Sequence, residues 1–333
     1  MTNEEQNNNN EFPQIEDAGQ APIESTRDLM LPASIVIAAL IFSLAWIYTA
    51  GLKEISSGKR STVTNKQEVA GVMTELPIQW GDLGFRMVEA GVIDQNQFEA
   101  IYNQRGGLTV QEKELLTGRT NGALKVSQDN AGVILNLLWA AGLSNKNRVL
   151  ENGPMADPRY GDPGRFASTG GWTIAKGNVM NHYSAHPLMT LTDEQQQMVE
   201  RVSKNIYRPC CDNSTYFPDC NHGMAMLGLL ELLASQGASE EEMYKTALIM
   251  NSYWFPDQYA TIARYLGSKG LTLAEADPKE ILGKGYSSAS GFRNIASLVP
   301  QTQDSGGSGQ SGCGLSDPAP QDTNRKSQGG CGL

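Results

Sequence analysis

Residues 208–237 read RPCCDNSTYFPDCNHGMAMLGLLELLASQG. The second half of this stretch predicts an α-helix that begins near Asn221 or His222, takes Asp219 or Asn221 as its cap, and ends at Gly237. Its apolar run carries one charge, Glu231, so the helix is expected to be buried nearly all round. A helix of that kind is stable only with other elements packed on every side, which points to a mainly α, multi-helix globular domain. The first half is different in kind. Pro209 stops the preceding helix, and Cys210, Cys211, Cys220 and His222 then fall in one loop and at the start of the next helix.

Those residue types are scarce elsewhere. All three histidines and three of the five cysteines lie between 182 and 222. Thiolate and imidazole are ligands for soft and borderline ions, so Cys210, Cys211, Cys220 and His222 are read as a Cys3His site for zinc or copper. Two adjacent cysteines on one ion strain the backbone, so one of Cys210 and Cys211 is expected outside the coordination sphere. Cys220 sits where the helix N-terminus favours negative charge, which lowers the pKa of its thiol. Secondary ligand candidates are His182 and His186, one helical turn apart if helical, and Met224. Tyr183 stands where a zinc protease has Glu, and Pro187 pushes His186 out of helical conformation.

A second reading gives the same cysteines thiol–disulfide chemistry, with a bond from Cys220 to Cys210 or Cys211. A third makes the chain a membrane-tethered interaction domain without chemistry. No C-x-x-C-H, no C-x-x-C, no phosphate-binding glycine fingerprint and no hydrolase triad can be nominated, so enzymatic activity stays open.

Working outward, Thr192 with Gln195 and Ser239 with Glu242 have the spacing of helix capping boxes, as do Thr109 and Glu112. Asp94 caps a helix over 95–103, and Asp277 with Pro278 opens a short one. The run AGVILNLLWAAG predicts a buried helix ended by Gly142. Residues 151–178, rich in Gly, Pro and Asp, read as a long loop or a pair of short strands. Ser168 to Trp172 within them is a candidate pocket lining.

The ends of the 333-residue chain differ from this. Residues 1–28 are an acidic, polar leader expected to be disordered. Residues 29–52 hold no charged residue, and at 1.5 Å per residue they are long enough for a hydrocarbon layer of roughly 30 Å. One N-terminal transmembrane helix is predicted there, followed by a polar stalk at 53–75 and a helical domain at 76–300. Lys53, Lys59, Arg60 and Lys66 after the span favour a cytoplasmic domain. The layout of short leader, span and large domain is instead that of signal-anchored proteins, and the reading adopted places the domain outside the cell membrane. Residues 301–333 form a flexible Gly/Ser tail. Cys313 and Cys331 there, in matching Q-x-G-C-G-L frames, suggest exchange with the cluster, a protein partner or self-association. A net charge of −10 argues against nucleic acid as a partner.

The run from Arg208 to Gly237, with GDLG near Asp82 and FASTGGW near Phe166, resembles an uncharacterised family of prokaryotic membrane-anchored proteins, over residues 76 to about 266. The resemblance implies membrane anchoring but no activity. A fainter likeness to metal-associated bacterial domains with a P-C-Y-C-G-C motif is incomplete, because Pro209-Cys210-Cys211 lacks the rest.

Overall fold

The computed structural model describes residues 73–299. The leader, the predicted span at 29–52, most of the stalk and the tail with Cys313 and Cys331 lie outside the described residues. Among the described residues, no helix is long and apolar enough to cross a membrane.

The domain is mainly helical, with one two-stranded sheet. In order come β1 (Thr74–Gly81), α1 (Leu83–Glu89), α2 (Gln95–Asn103), α3 (Val110–Thr117) and β2 (Asn121–Val126). There follow α4 (Ala131–Ser144), α5 (Arg148–Asn152), α6 (Ala167–Gly170), α7 (Asp193–Ser203) and α8 (Asn221–Ser235). The chain closes with α9 (Glu240–Trp254), α10 (Pro256–Ser268), α11 (Pro278–Ile281), α12 (Lys284–Ser287) and α13 (Ala289–Leu298).

The two strands add to the mainly α domain expected from the sequence. β1 alternates Leu76, Ile78 and Trp80 inward with polar residues outward, and it pairs antiparallel with β2, Thr74 opposite Val126 and Gly81 opposite Asn121. β1 therefore begins two residues before the expected Leu76.

Five of the predicted caps form, whereas the helix after the cysteine loop starts at Cys220 without a side-chain cap rather than at Asp219 or Asn221. Thr109, Thr192 and Ser239 each accept from the backbone N–H three residues on, and Asp94 and Asp277 cap their helices. Residues 151–178 are neither strands nor one open loop. They are a series of short 3-10 and α turns, several opened by proline after an Asp or Gly. Ser168 and Thr169 there are buried, and Trp172 packs edge-on against Trp139 at 5.0 Å, so this segment builds core.

The centre of the domain is the crossing of α4 and α8, both buried almost throughout. Gly142 does not end α4, which runs on to Ser144 and is closed by Asn145. It is instead the point of closest approach. A Cβ on Gly142 would collide with the backbone of Met224 and Gly228, and one on Gly228 with Leu138 and Gly142. Glycine here lets two backbones touch, and the flanking Leu, Ile and Met side chains interlock around the contact. That crossing fixes where α8 begins, and so where Cys220 sits.

Candidate metal centre

The loop between α7 and α8 folds back on itself. The Thr215 N–H donates to the Ile206 carbonyl at 2.8 Å and the Tyr216 N–H to Ser203 at 3.1 Å. α13 braces it from outside: the Ala289 N–H donates to the Cys211 carbonyl at 2.9 Å, and the Ser290 N–H to Asp212 Oδ1 at 2.8 Å. Cys210 and Cys211 are held on the inner side of this loop, opposite Cys220, which is the N-cap residue of α8.

The three sulfurs form a near-equilateral triangle. Cys210 Sγ lies 3.9 Å from Cys211 Sγ and 3.7 Å from Cys220 Sγ, and the third edge is 4.0 Å. A tetrahedral zinc with Zn–S bonds near 2.3 Å sets its ligand sulfurs about 3.8 Å apart. A disulfide needs about 2.05 Å, and none of the three sulfur–sulfur distances approaches that. The triangle therefore fits the edge of one coordination sphere. Both adjacent cysteines take part in it, contrary to the expectation that one would turn away.

Arg208 closes the site from within. It is 1% exposed, and its Nε donates to Cys220 Sγ at 3.3 Å. Its other nitrogens donate to the carbonyls of Asn213 and Phe217 and to Asp219 Oδ1 at 2.9 Å. Asn213 Nδ2 donates to the second oxygen of Asp219 at 2.8 Å. Gly223 makes room for this: a Cβ there would run into the guanidinium. Burial works against the charge on Arg208, but the three sulfurs and Asp219 outweigh it and hold its pKa above the usual range. Burial raises the Asp219 carboxyl, against the pull of Arg208.

This setting splits the thiols. Cys220 is driven well below the ordinary thiol range, first by accepting from Cys210 and Cys211 and then by Arg208 and nearby His222, against its burial. For Cys211 the contact with Cys210 pulls downward, but donation to Cys220 and burial prevail, and its thiol is pushed up to about 12. The neighbouring S–H groups and the guanidinium thus favour the thiolate at Cys220 over the other two cysteines.

The other sequence candidates lie elsewhere. His222 is outside the sulfur group. Its ring packs against Phe255, 4.5 Å between centroids, and edge-on to Trp254 at 6.0 Å. Met224 is fully buried in the core, where its N–H donates to the Cys220 carbonyl. His182 and His186 sit in a turn around Ser184 rather than on a helix. They bind each other, His182 Nδ1 to His186 Nε2 at 2.9 Å, while His182 Nε2 meets the Lys176 carbonyl at 3.0 Å. A carbonyl only accepts, so His182 carries its proton on Nε2 and accepts at Nδ1 from His186. Burial, and then His182, lower the pKa of His186.

Sequence reasoning missed Arg208, Asn213 and Asp219. The signal was present: an arginine stands two residues before Cys210 and an aspartate immediately before Cys220, the two charges bracketing the loop.

No protein-family model matches the chain, and no curated protein or solved structure matches it.

Proposed function

We propose that this chain is a metal-binding protein that holds one soft or borderline ion, zinc or Cu(I), on Cys210, Cys211 and Cys220. The observation that carries the reading is the sulfur triangle, whose edges of 3.7, 3.9 and 4.0 Å span one ion's coordination sphere. Three thiolates on zinc leave a fourth position for solvent or a partner's ligand. The same triangle admits trigonal Cu(I). Arg208 offsets the excess negative charge of three thiolates and orients Cys220, as outer-shell donors do at metal sites. His222 plays no part in coordination.

In this reading residues 29–52 tether the domain to a membrane, with the domain on the outer side, and the tail cysteines Cys313 and Cys331 bring or receive the ion. The metal content of the purified full chain tests the site. About one equivalent is expected in the parent and in His222→Ala, with a large loss in Cys210→Ser, Cys211→Ser and Cys220→Ser. Equal content in all five proteins would end the proposal.

A second reading, thiol–disulfide exchange, is favoured by one observation: the Cys220 thiolate beside Cys210 at 3.7 Å. Alkylation and mass spectrometry separate the two. A reducible Cys210–Cys220 bond in the purified chain supports exchange, and alkylation at each of Cys210, Cys211 and Cys220 after chelation supports metal binding.

A further inference from the structure

The start of α8 also borders a cleft of about 550 Å³, the volume of a small-molecule site. Its other walls come from the end of α2, the start of α3, the N-terminal half of α4 and the end of α9.

One charge on this lining is enclosed. Glu112, in the first turn of α3, is 8% exposed. Among the described residues no Lys or Arg forms a salt bridge with it. Glutamate is seldom buried without a partner. Its Oε2 accepts from the Thr109 N–H and hydroxyl at 2.7 and 2.8 Å, whereas Oε1 accepts from no described residue. Asn136, 4% exposed, is half-satisfied in the same way: Nδ2 donates to the Tyr102 hydroxyl at 2.7 Å, and Oδ1 accepts from no described residue. Neither oxygen is sealed from solvent, and both side chains line the cleft.

Tyr102 links the two. Its phenol is pushed up to about 12, first by burial and also by the Glu112 carboxylate, against the hydrogen bond from Asn136. It therefore stays neutral and adds no charge. Arg105 and Asp129 are both exposed at the rim and opposite in sign, so they offset one another. That leaves Glu112 as the net charge of the lining. The rings of Tyr102, Tyr253 and Trp254 also line the cleft, and aromatic rings favour cations and shield apolar groups.

The geometry points to a binding site for a small primary ammonium ion on an apolar stem, its N–H groups donating to Glu112 Oε1 and Asn136 Oδ1 and its stem lying among the rings. Two free acceptors, one of them charged, favour a charged N–H donor over a hydroxyl of the same shape. The site is separate from the sulfur triangle and does not depend on it.

Titration calorimetry and thermal melting of the full chain test this with 2-phenylethylamine and n-butylamine at about 0.15 M salt, where unspecific attraction to an acidic protein is screened. The matched alcohols and carboxylates are the neutral and anionic controls. At least one amine should bind and raise Tm, with its alcohol and carboxylate weaker by about tenfold or more. Glu112→Gln removes the charge and keeps the fold, because glutamine serves at the same position of a capping box, as Gln195 does at α7. It should weaken the amine about tenfold or more and leave the alcohol unchanged. Gly132→Leu, whose new side chain enters open space on the cleft lining, should abolish binding while the helical circular dichroism holds. The proposal is overturned if neither amine binds in the millimolar range, if amine and alcohol bind alike, or if either variant keeps full affinity for the amine.

Discussion

At the residue scale the account turns on Arg208. It is buried with a partial set of countercharges, an arrangement that is expensive to break. Arg208→Met should destabilise the domain by about 3–5 kcal/mol in urea unfolding, since it leaves Asp219 half-buried without its partner and removes the buried charge that faces the sulfurs. Arg208→Lys keeps a charge but loses the fork that reaches Cys220, Asn213, Phe217 and Asp219 together. It should fold, titrate the Cys220 thiol at higher pH in an iodoacetamide rate profile, and bind metal about 10–100-fold more weakly. An unchanged thiol profile would remove Arg208 from the mechanism. Glu231 is the second such residue. It is fully buried in α8 and accepts from Asn145 at 3.0 Å and from Asn147, and burial pushes its carboxyl well above the usual range. An acid whose folded pKa is raised binds its proton more tightly in the native state. Its contribution is full below the unfolded value near 4.5 and is lost as pH rises through the folded pKa. Stability should therefore fall by at most about 1.4 kcal/mol per pH unit between the unfolded value near 4.5 and the folded pKa, levelling off above it, and Glu231→Gln, which mimics the protonated acid, should flatten the slope. A parent slope identical to that of the variant would contradict the assignment.

At the element scale the α4–α8 crossing sets the position of Cys220. Gly142→Ala or Gly228→Ala puts a methyl group against a neighbouring backbone and should cost about 1–3 kcal/mol or more. Because the crossing also sets the start of α8, either variant should weaken metal binding without touching a ligand; a neutral effect on both stability and affinity would show the two to be uncoupled. The helices were largely legible in the sequence. Thr109, Thr192, Ser239, Asp94 and Asp277 announce their helices through local cap chemistry that needs no tertiary information. What required the fold was harder to read. Gly142 has the identity of a helix terminator and serves as a contact glycine, which only the partner Gly228 reveals. β1 alternates inward at Leu76, Ile78 and Trp80, but Pro77 and the helical punctuation around it mask the pattern. At the site, the cysteines were visible through their crowding. That His222 lies outside the sulfur group was not, because its side chain faces Phe255 and Trp254 once α9 is packed beside α8.

At the scale of the whole domain, the start of α8 carries the triangle of cysteine sulfurs on one side and an open cleft on the other. The core is large, with Trp80, Trp139 and Trp172 buried in it. Metal removal should therefore lower Tm by mass action without unfolding the domain, unlike a zinc finger. Circular dichroism before and after chelation checks this, and collapse of the helical signal would show that the ion is instead needed for folding. The central claim, that Cys210, Cys211 and Cys220 together hold one ion and His222 does not, is most directly tested by X-ray absorption at the zinc or copper edge of the loaded full chain. Three sulfur scatterers near about 2.3 Å, with no imidazole in the first shell, are predicted. A first shell with a histidine, or with fewer than three sulfurs, would contradict it.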